Sequence, residues 1–131
     1  MKYTIVLILT LFFITSCKQE FASQEIANSY KSVMTVHDEV MPEINTIQRL
    51  KKSLRPYKEN NSEVLDLMKN LEAADDGMMD WMRGFKLDKS ASKENQLKYL
   101  EAEQTKINKV SKDMRSSISE AQDFLSVEKQ K

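Results

Sequence analysis

Apolar side chains return every three or four residues over most of the chain, and no stretch alternates apolar with polar as a half-buried strand does. Ile26, Tyr30, Val33, His37, Val40, Ile44, Ile47, Lys51 and Leu54 follow an unbroken heptad spacing. That seam predicts one long helix from about Ser23 to Leu54. Ser23 stands where an N-cap belongs, and Glu25 falls in the first turn, facing the positive end of the helix dipole. Pro42 lies inside the seam without changing its phase, which predicts a kink that frees the Asp38 carbonyl, not a break.

A second helix is predicted from Glu63 to Arg83, with Val64, Met68, Leu71, Asp75, Met78 and Met82 as its seam. Pro56 and the polar run Tyr57–Asn61 form the connection before it. Asn60 and Glu63 have capping-box spacing, and Gly84 is placed to stop the helix, with Phe85 ready to fold back onto it. Gly77 costs the helix about 1 kcal/mol relative to Ala and predicts a close approach or a bend. Ser92 then opens a third helix on the seam Leu97, Leu100, Gln104, Ile107, Ser111, Met114, Ile118, Ala121 and Leu125. Short connections make neighbours antiparallel. The predicted fold is therefore all-α: an up-down-up antiparallel three-helix bundle over residues 24–127, roughly 40 Å long, with 128–131 as a frayed tail.

Composition agrees with long helices. The 131 residues include only two Gly and two Pro, too few for the turns of a sandwich or barrel. Twenty basic and twenty acidic residues balance to zero net charge, which argues against a nucleic-acid partner. Acidic residues gather on the second helix. Basic ones gather at the end of the first and along the third, at Lys106, Lys109, Lys112 and Arg115. The split predicts helices that complement one another. A single Cys excludes an internal disulfide and a Cys-based zinc site.

That Cys changes the picture at the N-terminus. Lys2 is followed by an almost unbroken apolar run from Tyr3 to Ile14, signal-peptide length and too short to span a bilayer. The run ends in Ile14-Thr15-Ser16-Cys17, which resembles the lipobox of bacterial lipoproteins. The resemblance implies a cleaved signal over 1–16, a lipidated Cys17 and a tether over 17–23. It also implies a partner in the membrane itself, reached through the N-terminal lipid. Lys18, where a retained inner-membrane lipoprotein would carry Asp, points to the outer membrane, on its periplasmic face or at the cell surface. Several acyl chains make a stable anchor, at about 0.8 kcal/mol per buried methylene.

The first hairpin, turning near residues 57–58, predicts that position i of the first helix faces about 115 − i of the second. His37 then faces Met78, Met34 faces Trp81 and Met82, and Met41 faces Asp75. The only His and the only Trp fall among five Met: Met34, Met41, Met78, Met79 and Met82. Three readings of this cluster stand side by side. Met is an adaptable core filler, so the cluster can be plain packing, with Asp75 and His37 as a buried polar pair. Thioethers and an imidazole also suit Cu(I) or Ag(I), with Met34, His37, Met41, Met78 and Met82 as ligands. Asp75 or Asp38 would then hold the second ring nitrogen, and Trp81 would act as a lid. Residue types, though not fold, resemble the Met/His/Trp site of periplasmic Cu(I)/Ag(I) chaperones. Alternatively Met79 and Trp81 form an exposed apolar patch for a protein partner.

The segments Val36-His37-Asp38-Glu39-Val40-Met41-Pro42 and Ala74-Asp75-Asp76-Gly77-Met78-Met79-Asp80-Trp81-Met82, with the lipobox and third helix, resemble a group of small uncharacterised bacterial lipoproteins. Some of these carry the label "viral A-type inclusion protein". The resemblance implies no activity. No nucleophile stands beside His37 in the seam and no Gly-rich phosphate loop is present. The expectation is a non-enzymatic envelope lipoprotein that binds a partner and needs no cofactor, with Cu(I) handling as the alternative.

Overall fold

A computed structural model describes residues 21–130; the signal segment and Cys17 lie outside them. The described chain is helical with three rods. The first is made of α1 (Gln24–Val40) and α2 (Glu43–Leu54), followed by a single 3-10 turn at Arg55–Tyr57. The others are α3 (Ser62–Gly84) and α4 (Lys93–Glu128). The one helix expected from Ser23 to Leu54 is interrupted at Pro42, where α1 stops at Val40 and α2 begins at Glu43. Met41 and Pro42 keep right-handed helical dihedrals, and the Met41 N–H still donates to the His37 carbonyl at 2.9 Å. The next two turns tighten, with Ile44 and Asn45 donating to Met41 and Pro42 carbonyls.

Side-chain pairs fix the chain directions. Lys93–Glu25 at 2.5 Å and Arg115–Glu39 at 3.5 Å join α4 to α1 running the same way. Gln48–Asp75 at 2.6 Å and Lys51–Glu72 at 3.5 Å join α2 to α3 running oppositely. Of the predicted charge complementarity only Lys51–Glu72 appears among the described residues. Lys106 and Lys109 pair within α4 with Glu103 and Asp113, Arg115 reaches α1, and such surface pairs are small in energy. The helix α4 lies along α1, α2 and α3. Its 36 residues make it about 54 Å long, longer than the 40 Å expected.

The core runs the full length of the rods, from Ile26 to Leu125, so residues 24–128 carry their own hydrophobic interior. Its centre in the first rod is Ile26, Val33, Val40, Ile47 and Leu54, every seventh residue, joined by Leu50. The intervening seam members Tyr30, His37, Ile44 and Lys51 are half-buried at its edge. In α3 the buried set is Val64, Leu67, Leu71, Ala74, Met78 and Trp81. The expected Met68, Asp75 and Met82 sit one residue further round, half-buried. A helix that touches two neighbours buries a wide stripe, and the charged edge of that stripe stays toward water. In α4 Gln96 and Glu103 are buried where Leu97 and Gln104 were expected. Gln96 repays its burial by donating to the Ala91 carbonyl at 2.8 Å, and Glu103 accepts from Lys106 at 2.7 Å.

The ends of the helices show which local signals acted. Ser23 and Ser92 cap α1 and α4 through the N–H groups of Ile26 and Asn95, both at 3.3 Å. The α3 cap is Asn61, bonded to the Val64 N–H at 3.2 Å, and not Asn60. Asn60 instead takes the left-handed turn conformation, φ 57°, which Asn tolerates. Gly84 is the last residue of α3 and has no positive φ. The helix ends because Phe85 turns extended and stacks its ring on Trp81, centroids 5.0 Å apart. Gly77 meets nothing within 4 Å of where a Cβ would lie, so no close approach explains it.

In the loop before α4, Asp88 accepts from both the N–H and the Oγ of Ser90, at 2.8 and 2.6 Å. The side-chain and backbone bonds from Ser90 hold its carboxyl below the usual carboxylate range. The lowered folded value means this tie is present above pH 3.8, the ordinary value, and is lost as pH falls through the folded one. An NMR titration should show the Ser90 amide moving at lower pH than a free aspartate would cause.

Candidate functional site

Two places on the bundle combine chemistry with access. The first lies where α1 meets α3 through side chains. His37, on the flank of the α1 seam, is 15% exposed. Its Nδ1 lies 2.8 Å from Asp38 Oδ1, and its Nε2 lies 3.3 Å from the sulfur of Met82. The Trp81 ring stacks beside it, centroids 5.6 Å apart. The ring series continues from Trp81 to Phe85, and from Phe85 to Tyr30 at 5.8 Å and Tyr99 at 5.9 Å. Phe21 closes it, 4.9 Å from Tyr30. These rings fill the space between α1 and α3 and tie the loop after α3 to α4, where the Tyr99 hydroxyl accepts from the Lys86 N–H at 2.6 Å.

The predicted cluster is only partly assembled. His37, Met82 and Trp81 come together, and Asp38 holds the second ring nitrogen. Asp75 does not: it accepts from Gln48, two helical turns away from the Met41 it was expected to face. The 115 − i register is short by about a turn at His37–Met82 and two turns at Gln48–Asp75. Met78 is fully buried in the core, while Met34 and Met41 are half-buried against it. Trp81 is 7% exposed and its indole N–H has no hydrogen-bond partner. It is therefore neither a lid over open solvent nor, with half-buried Met79, an exposed partner patch. Its place in the buried 3-4 series of α3 explains why.

The second place is a groove between α3 and α4 near the far end of the bundle from Phe21. Its floor holds Leu67, Phe124 and Val127, and Ala73, Ala74, Ser116 and Ser117 continue it toward the middle. Its rim carries Glu63, Asp113, Glu120, Asp123 and Glu128, and no lysine or arginine lines it. Val127 is 55% exposed, one of two large apolar side chains so open among the described residues, with Leu65. Small side chains on both helices make the groove, and acidic residues at positions 113, 120, 123 and 128 of α4 and 63 of α3 edge it. Sequence reading passed over it because Val127 was placed as the last residue of the bundle and acidic residues were singled out only on the second helix.

Among the described residues no helix is long and apolar enough to cross a membrane. No protein-family model, curated protein or solved structure matches the chain. The class is therefore set by the geometry alone: an all-α protein with an acidic-edged groove and a His–Met contact on separate surfaces.

Proposed function

We propose that the protein is a non-enzymatic envelope lipoprotein, an up-down-up three-helix bundle that follows a cleaved signal peptide. Acyl chains on Cys17 hold it at the outer membrane, on the periplasmic face or at the cell surface. Ile14-Thr15-Ser16-Cys17 at the end of an apolar run supports the anchor. In this reading the bundle binds a cationic amphipathic helix of a partner protein in the α3/α4 groove.

The groove carries the reading. An apolar floor under an acidic rim, in which Asp113 pairs with a lysine, Lys109, complements a helix with one apolar and one Lys/Arg face. From Asp113 to Glu128 the rim runs about 22 Å, the length of a helix of roughly 15 residues. The groove opens near the Tyr57–Phe124 end, opposite the Phe21 end from which a tether to Cys17 would leave. A partner could reach it without meeting the membrane.

Residues 18–131 include the whole core and can be studied without the anchor. A labelled Lys/Leu amphipathic peptide of roughly 15 residues should bind saturably by fluorescence anisotropy. Glu120→Lys with Asp123→Lys should weaken it about tenfold or more, and a Glu/Leu peptide should not bind. Equal binding by the charge-reversed variant overturns the groove. Incorporation of a palmitate analogue into the full chain but not into Cys17→Ser tests the anchor separately; label retained in Cys17→Ser overturns it.

A further inference from the structure

The His37 contacts contain a chemical conflict. The Asp38 carboxylate can only accept, so Nδ1 donates to it across 2.8 Å. In a neutral ring Nε2 then carries a lone pair, and it faces the thioether sulfur of Met82, also an acceptor, across 3.3 Å. Nitrogen and sulfur thus lie in van der Waals contact with two soft lone pairs side by side, a donor pair that an electrophile can bridge. We propose that His37 Nε2 and Met82 Sδ form the seat of a soft monovalent cation, Cu(I) or Ag(I), a function independent of the groove.

The surroundings fit such an ion. Neutral imidazole and thioether are soft donors, and among the described residues no group of three or more His, Cys, Asp or Glu could hold a hard or borderline divalent ion. Asp38 fixes the tautomer that leaves Nε2 free to ligate and places one negative charge behind the ring, as metal-bound histidines require. The nine-tenths-buried Trp81 walls one side, 5.6 Å from the imidazole centroid, with its N–H unpartnered. The flexible thioether chain can open the pair to bonding distance, and His37 remains reachable from solvent. Met34 and Met41 lie one turn before and after His37 on the same face of the first rod, placed to offer a third donor. The binding step transfers no electron: the ion enters as Cu(I) and stays Cu(I).

The test is an anaerobic titration of residues 18–131 with Cu(I) against a chromophoric competitor, with Ag(I) calorimetry as a second probe. The expected result is one ion per chain and a change in Trp81 fluorescence. Met82→Leu, which conserves volume, should keep the circular dichroism of the parent and lose competition with the chelator. Asp38→Asn should weaken binding roughly tenfold. No competition by the parent chain overturns the site. Equal Cu(I) uptake by parent and Met82→Leu also overturns it.

Discussion

Trp81→Ala is expected to lower the unfolding free energy by about 3–5 kcal/mol, the cost of emptying a large buried aromatic site. The side chain is 7% exposed and stacks on Phe85 at 5.0 Å and beside His37 at 5.6 Å. Its loss would undo the link between α1 and α3, which meet here through rings, and would release Phe85, whose turn ends α3. Urea unfolding of residues 18–131 followed by circular dichroism measures it, and the melting temperature should fall by roughly 10 °C or more. An indole presented to a partner would behave otherwise, because truncating an exposed side chain leaves stability within about 0.5 kcal/mol. Trp81→Phe is the informative companion. It keeps much of the packing and removes the one buried indole N–H that has no acceptor, so it should cost far less than Trp81→Ala.

The helices were legible because their signals are local. Heptad spacing and the Ser23 and Ser92 caps each depend on a few neighbouring residues, and each acts as expected. What failed was the rotation of half the α3 seam by one position, and of Leu97 and Gln104 in α4; the first rod and the rest of α4 bury the residues expected. On α3 the series Met68, Asp75, Met82 and the series Leu67, Ala74, Trp81 have the same period and differ by about 100°. Periodicity cannot choose between them. Tertiary packing does, by burying Trp81 and leaving Asp75 half-buried, with Gln48 on one carboxylate oxygen and the other buried without a partner. Gln96 was missed because the apolar Leu97 beside it took the seam position, yet Gln96 is drawn in by loop carbonyls that only the folded chain presents.

The site was legible in membership more than in geometry. His37, Trp81 and Met82 were expected together from hairpin arithmetic, and they meet although the register slipped by a turn, since long side chains absorb such a slip. Asp38 and Asp75 stood as alternatives for the second ring nitrogen. Asp38 takes it because it is adjacent in sequence and needs no register at all. The aromatic series from Phe21 to Tyr99 was invisible for the same reason that the groove was: both arise between elements distant in sequence.

Met78→Ala is expected to cost about 2–5 kcal/mol, as for a buried Met cut back to a methyl group. Met78 is fully buried among Leu71, Ala74 and Trp81 of its own helix face and cannot present sulfur to an incoming ion without leaving the core. Met82, one turn later and half-buried, touches His37 instead. The two methionines should therefore separate under volume-conserving substitution. Met78→Leu removes a sulfur but fills the same space, so stability should stay within about 1.5 kcal/mol of the parent and Cu(I) competition should be unchanged. Met82→Leu should leave stability equally intact and lose the ion. A Met78→Leu chain that folds normally but no longer competes for Cu(I) would mean that the α3 core opens when the ion enters, and the buried face would then be part of the site. The wide difference in burial between two residues four apart on one helix argues that it is not: one sulfur holds the bundle together, and the other faces the only histidine.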